Sequence, residues 1–369
     1  MILGIDASRL SGVRTGVARS IESLVESWRS RDVPFQRIVL FSPVPLPDPL
    51  RDGRFMVEVL PSSGPGIFWQ TRCLRRKARE IDVLFAPYTI PLAYPGRAVV
   101  WNLGVLEGPW AVGSVRARAR SWHSAYSARH ADAIIVNSAA TAEDLVYFYG
   151  IARERITVIW PGVEKRFRPA FEGEQAEIGR AVERLLGKRV PYFLFVGKMS
   201  LRRHVPELVE AFAMVLAKRP GIRLLLVSPN DPAPIEQISA RLGITNFVRH
   251  VPYVDDDTLA ILYRGACAFV LPTSQEGFSA TILEAAASGC PVVTTNHRAL
   301  EEAELADVVL CVSEPTARHL HEALIRVVDD EALRRELGTR GRRRARSFSW
   351  NLSGQKTMEL LARVAAASP

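Results

Sequence analysis

The sequence predicts an α/β protein made of two Rossmann-like domains, and three observations carry that expectation. Short apolar runs alternate with stretches of helical periodicity along most of the chain, the pattern of mainly parallel sheets covered by helices. At 2–16, 192–205 and 267–280 an apolar run passes through a glycine-containing turn into a helix, as in a phosphate-binding βα unit. The length of 369 residues, 48% of them hydrophobic, lets each of two domains bury its own core.

The first domain is expected over 1–168. A strand at 2–5 leads through a loop at 6–15 to Gly16, which opens a helix with Val17, Ile21, Leu24, Val25 and Trp28 on one face. Further strands are predicted at 38–41, 57–60, 83–86, 98–101, 133–136 and 156–159. The helix before 131 carries Arg116, Arg118, Arg120, Trp122, Tyr126 and Arg129. Basic residues edged by aromatics suit an anionic membrane surface or an acceptor phosphate, and equally a solvated helix face.

The second domain is expected over 169–350, behind a polar linker at 172–188, with a closing helix over 351–369. Its first strand, 192–196, runs into Gly197-Lys198-Met199-Ser200-Leu201-Arg202-Arg203-His204, and Leu208, Ala211, Phe212, Val215 and Leu216 line the next helix. Cations at that turn would neutralise a diphosphate and stabilise it as a leaving group. Strands follow at 222–227, 247–251, 267–271, 292–295 and 308–312. Asp255, Asp256 and Asp257 are expected to cap a helix rather than hold a metal. Arg342, Arg343, Arg344 and Arg346 read as a solvated run.

The most informative stretch is Glu276-Gly277-Phe278-Ser279-Ala280-Thr281-Ile282-Leu283-Glu284, between the strand at 267–271 and an alanine-rich helix. The backbone N–H groups of Gly277, Phe278 and Ser279 would stand free at a helix N-terminus, a site suited to a diphosphate. A carboxylate is repelled by phosphate, so Glu276 and Glu284 should face neutral hydroxyls such as those of sugars.

Charge narrows the partners. A formal net charge of +9 permits nucleic acid, an anionic membrane face or a phosphate-bearing substrate. Nucleic acid is the weakest of these, because no RNA or DNA module is legible and aromatics do not interleave with the arginines. Cys73, Cys267, Cys290 and Cys311 lie far apart without metal-ligand spacing and are expected as buried thiols in a reducing cytoplasm. The apolar start at 2–5 has no basic region ahead of it and reads as a strand rather than a signal peptide.

The segment Glu276–Glu284, with Gly277-Phe278 after the first acid, resembles the E-x7-E motif of retaining GT-B glycosyltransferases, with Ser279-Ala280-Thr281 in place of G-L-P. The likeness covers nearly the whole chain: it is strong over 132–163 and 193–350, including the terminal Phe348-Ser349-Trp350, and weaker before 132. It implies two domains facing a cleft and a last helix crossing back to the first domain. It also implies a nucleoside-diphosphate sugar as donor, no cofactor and no metal. Glu276 would lie by the donor sugar as a catalytic residue, with Arg203 and Lys198 on the diphosphate. Gly277, Phe278 and Ser279 would meet sugar and phosphate through their amides, and Glu284 the ribose. Tyr253 and Val254 would border the base, and Gly16 and Gly197 the donor. The resemblance further implies retained anomeric configuration and a glycan, lipid-linked or small-molecule acceptor. Asp6, Arg9, Leu10 and the 202–204 loop look closest to mannosyl- or rhamnosyltransferases of surface polysaccharide assembly, acting in the cytoplasm or at the inner membrane face. A glycosyl phosphorylase or a non-catalytic homologue shares the fold. One departure stands out: Asn102-Leu103-Gly104-Val105 carries no His where many relatives place one near the donor sugar. His123 and His130 read as packing or surface residues.

Overall fold

The computed structural model describes residues 1–11, 16–29, 31–46, 53–62, 66–104 and 115–367, with the backbone alone for 115–117. Thr15, Val105 and the Arg116 side chain lie outside the described residues. The chain divides into two compact units, Met1–Gly162 with Ser349–Pro369, and Val163–Phe348.

The first unit holds strands β1 (Ile2–Asp6), β2 (Arg37–Ser42), β3 (Phe55–Val59), β4 (Val83–Pro87), β5 (Ala98–Asn102), β6 (Ala133–Val136) and β7 (Ile156–Val158). They form one parallel sheet in the order β3-β2-β1-β4-β5-β6-β7. Its helices are α1 (Gly16–Arg29), α2 (Gly66–Arg72), α3 (Val115–His130) and α4 (Ala139–Tyr149). The apolar stripe of α1 buries Ile21, Leu24, Val25 and Trp28 against Leu3, Ile5, Phe85 and Val99 of the sheet.

The second unit holds β8 (Tyr192–Val196), β9 (Arg223–Val227), β10 (Val248–Val251), β11 (Ala268–Leu271), β12 (Val292–Thr295) and β13 (Leu310–Val312), all parallel, in the order β10-β9-β8-β11-β12-β13. Helices α5 (Gln175–Leu186), α6 (Val205–Lys218), α7 (Ala233–Arg241), α8 (Asp256–Gly265), α9 (Ala280–Ala287), α10 (Arg298–Glu302), α11 (Ala317–Asp329) and α12 (Glu331–Ala345) belong to it. The four inner strands β9, β8, β11 and β12 are buried on both faces, with aromatic rings locking the layers: Phe193 meets Phe212 of α6 edge-on at 6.5 Å, and Tyr263 of α8 meets Phe269 at 5.4 Å. The final helix, α13 (Trp350–Ala366), returns to the first unit, where Trp28 Nε1 donates to Gly354 O at 2.9 Å and Arg97 Nη1 to Val364 O at 2.7 Å.

Every one of the thirteen expected strands is present with ends within two residues of expectation. Asp255 caps α8 as expected, accepting from the Thr258 N–H at 2.8 Å. Three expectations are corrected. The polar linker at 172–188 is instead largely the helix α5, whose Ile178, Ala181 and Val182 are buried; their spacing is helical but diluted by charged neighbours. Arg344 is not simply solvated, since its Nε donates to Ala303 O at 2.9 Å and its Nη1 pairs with Glu304 at 3.1 Å. Cys311 is exposed, at one end of the sheet order where one strand flank is uncovered, and of the four thiols only Cys290 is fully buried.

The division falls between Gly162 and Val163, ahead of the expected Arg168, because the segment beyond it makes its contacts within the second unit. Phe167 packs edge-on against Tyr263 at 5.9 Å, and Arg168 grips Glu174 through two bonds of 2.6 and 3.0 Å. The Arg168 bonds, followed by the Phe171 N–H, pull the Glu174 carboxyl from 4.5 to about 2. A depressed carboxyl stabilises the fold fully above its unfolded value and loses that contribution as pH falls through the folded value. The stability difference between wild type and Glu174→Gln, from urea unfolding at a series of pH values, should therefore be constant above pH 4.5 and shrink towards pH 2. A pH-independent difference would detach Glu174 from acid stability.

Candidate donor site at the switch point of the second sheet

In both sheets the strand order reverses beside the first strand, between β1 and β4 and between β8 and β11. Doubly wound sheets bind ligands outside the carboxyl ends of the two strands that flank such a reversal. In the second unit those ends carry the loops at 197–204 and 272–279, which hold most of the sequence-predicted residues.

The first loop leaves β8 at Gly197, whose φ of +135° suits glycine and whose missing Cβ leaves room for Arg203: a Cβ there would stand 2.0 Å from Arg203 Nη1. A short turn at Leu201–Arg203 then presents two guanidiniums to the second loop. Arg203 Nε donates to Glu276 Oε1 at 2.9 Å, and Arg202 Nη1 reaches the same oxygen at 2.8 Å. Arg202 also bonds the Gln275 carbonyl, and its own carbonyl accepts from the Ser274 N–H at 2.9 Å, so the two loops are stitched together.

Glu276 is only 9% exposed. Burial alone would raise its carboxyl, but Arg203 and then Arg202 outweigh that and hold it below its ordinary value. The site thus contains a buried carboxylate and two guanidiniums, a local excess of one positive charge. Lys198 is exposed on the same loop and has no ion-pair partner among the described residues.

Beyond Glu276 the chain enters α9. The N–H groups of Gly277, Phe278 and Ser279 donate to no group among the described residues, and they sit just ahead of the first turn of α9. The Ser279 hydroxyl is buried and also without a partner there. Phe278 is buried against Phe348, ring centroids 5.7 Å apart, which fixes the approach of this segment. One helical turn and more along α9, Glu284 is 7% exposed and accepts from the Tyr263 hydroxyl at 3.3 Å.

The structure therefore brings Gly197, Arg203 and Glu276 into contact and sets the 277–279 amides and Glu284 on the segment that follows. It does not bring every predicted residue together. Tyr253 is 50% exposed and Val254 half-buried in the turn after β10, and Gly16, the first residue of α1, belongs to the other unit. Two residues were missed. Arg202 was indistinguishable in sequence from the cations beside it. His297 follows β12 with no motif around it, and only its burial marks it out.

In the first unit, Asn102 at the end of β5 is fully buried, and its Oδ1 accepts the Gly104 N–H at 3.0 Å. Its Nδ2 has no partner among the described residues. His123 Nε2 bonds the Ile90 carbonyl at 2.8 Å and His130 Nδ1 bonds the Tyr126 carbonyl at 2.8 Å, which gives both rings local structural roles. On α3, Trp122 is exposed and stacked on Tyr126 at 5.7 Å. No helix among the described residues is long and apolar enough to cross a membrane.

Two family models match the chain: one described as Glycosyltransferase Family 4 over residues 14–167, and one described as glycosyl transferases group 1 over residues 182–344. A D-inositol 3-phosphate glycosyltransferase of Streptomyces avermitilis is 31% identical over 247 residues, covering 62% of this chain and 51% of the relative. A protein of the same name from Geodermatophilus obscurus is 35% identical over 234 residues, covering 60% and 50%. The chain thus spans about half the length of these relatives. Among solved structures, sucrose-phosphate synthase from Thermosynechococcus elongatus superposes with a TM-score of 0.79 at 22% identity, over 100% of this chain and 99% of the other. Anabaena HepE in complex with UDP and glucose superposes at 0.77 and 17% identity, over 98% and 99%.

Proposed function

We propose, on the footing that this chain belongs to the GT-B glycosyltransferases, that it moves a hexose from a nucleoside-diphosphate sugar to a glycan, glycolipid or natural-product acceptor with retained anomeric configuration. The observation that carries the proposal is the pairing of Glu276 with Arg202 and Arg203 beside the unpartnered 277–279 amides. Cations and free N–H groups suit a diphosphate, while the carboxylates of Glu276 and Glu284 suit hydroxyls on either side of it. The similarity to a structure solved with UDP and glucose supports the same ligand class.

In this reading the diphosphate lies on the amides of Gly277, Phe278 and Ser279 and on Arg203 and Lys198. Those cations disperse the charge that develops on the departing phosphate, so the chemistry needs no metal. Glu284 holds the ribose, and the turn at Tyr253 and Val254 borders the base. Glu276 orients the sugar and stabilises positive charge growing at the anomeric carbon. The acceptor attacks from the face the phosphate leaves, assisted by it. The first unit binds the acceptor, and mannose is the favoured sugar. The exposed arginines and Trp122 of α3 suit an anionic membrane surface at the cytoplasmic face.

A thermal-shift titration with UDP, GDP, ADP and dTDP on wild type and Glu284→Ala tests the proposal. One nucleotide should raise the melting temperature, by a stabilisation of about 2.7 kcal/mol at a hundredfold excess over its Kd. Glu284→Ala should lose most of that shift. Absence of any shift at about millimolar nucleotide would remove the basis of the transferase reading.

A further inference from the structure

His297 occupies the turn immediately after β12, the strand next to β11; Thr294 pairs with Leu271, so this turn emerges beside the 272–279 loop. Its backbone is extended and it caps α10, with Nδ1 accepting the Leu300 N–H at 3.2 Å. A neutral imidazole whose Nδ1 accepts a bond must carry its proton on Nε2. The ring is 9% exposed, and Nε2 has no hydrogen-bond partner among the described residues. A buried donor without a hydrogen bond has lost its water and gained nothing in return, so such a group calls for an acceptor.

The surroundings define that acceptor. Burial lowers the His297 pKa and keeps the ring uncharged, while Glu276 and Arg202 both stand close enough for their charges to act on it. A phosphate oxygen near Glu276 would be repelled, and the 277–279 amides already offer phosphate a better place. An acceptor that satisfies both groups must take a hydrogen bond from Nε2–H and give one to a carboxylate. A sugar hydroxyl does both. The unpartnered hydroxyls of Ser279 and Thr295, at the same carboxyl ends of β11 and β12, add further polar surface there.

We propose that the Nε2–H of His297 and the carboxylate of Glu276 share one hydroxyl of the donor sugar, which makes His297 a specificity-determining residue. The inference rests on the donor reading above and gives the sugar a contact that the stretch at 102–105, without a His, does not supply. A hydroxyl of inverted configuration would leave the buried Nε2–H of His297 without an acceptor, a strong basis for rejection.

The test is binding of UDP, UDP-glucose, GDP and GDP-mannose by calorimetry to wild type and His297→Asn. Asparagine keeps an N-cap for α10 but cannot reach the Nε2 position, so folding and the sugar contact are separated. The variant should bind the bare nucleoside diphosphate as wild type does and bind the matching nucleotide sugar about tenfold more weakly. Equal weakening of both ligands, or of neither, would overturn the assignment of His297 to the sugar. If wild type binds none of the four, ADP with ADP-glucose and dTDP with dTDP-glucose are measured in the same way, and binding of none of these overturns the donor reading and this inference with it. A second measurement avoids the variant: in 15N–1H spectra of wild type, the His297 Nε2 signal should move with the nucleotide sugar and stay in place with the nucleoside diphosphate. The opposite pattern would overturn the proposal.

Discussion

Arg203→Ala is expected to lower transfer from the nucleotide sugar by about 10²–10³, the cost of deleting a preorganised group at a developing negative charge. Two losses combine in that figure. The guanidinium is withdrawn from the diphosphate, and the buried Glu276 carboxylate keeps Arg202 as its remaining charge partner. The second loss also lowers stability, by about 1–3 kcal/mol. Arg203→Lys separates the two, because an ammonium restores charge without the planar fork that lies against Gly197. It should recover stability in a thermal melt more fully than it recovers turnover. Transfer by Arg203→Ala within a few-fold of wild type would remove Arg203 from the leaving-group machinery and leave it a structural ion-pair partner.

The inner strands were legible because parallel strands buried on both faces are written as short unbroken apolar runs, such as residues 192–196 and 268–271. The glycine turns and the Glu276–Glu284 spacing were legible because backbone amides at a strand-to-helix turn depend on local geometry. Helix α5 was hidden because three buried apolar residues among charged ones look like polar linker until a partner face is known. The choice between neighbouring cations was hidden for a different reason. Lys198, Arg202 and Arg203 carry the same charge in one loop, and only the folded turn decides that both arginines reach Glu276 while Lys198 stays exposed. His297 was beyond reach, since its meaning lies in an unmet hydrogen bond and not in a pattern.

Glu276→Gln is expected to move binding and turnover in opposite directions, and this distinguishes a sugar-facing carboxylate from a mere clamp for the arginines. Glutamine preserves shape and can still accept from Arg203, but it removes the negative charge that offsets one of the two guanidiniums. A nucleoside diphosphate should therefore bind more tightly, by about 1 kcal/mol or roughly fivefold. Transfer should fall by about 10², because positive charge at the anomeric carbon loses its counter-charge in a site shielded from water. Acid should reproduce the first effect in wild type. The arginines hold the Glu276 carboxyl below its ordinary value of 4.5, so it stays ionised through that range and takes up a proton only at lower pH. Nucleotide affinity of wild type should then rise towards that of the variant, while the variant shows no such rise. Loss of both binding and turnover in Glu276→Gln would assign the carboxylate to holding Arg202 and Arg203 in place; turnover equal to wild type would remove it from the anomeric centre. Only the split result places the carboxylate against the sugar, because an unpaired guanidinium strengthens the hold on phosphate whether or not a sugar is attached.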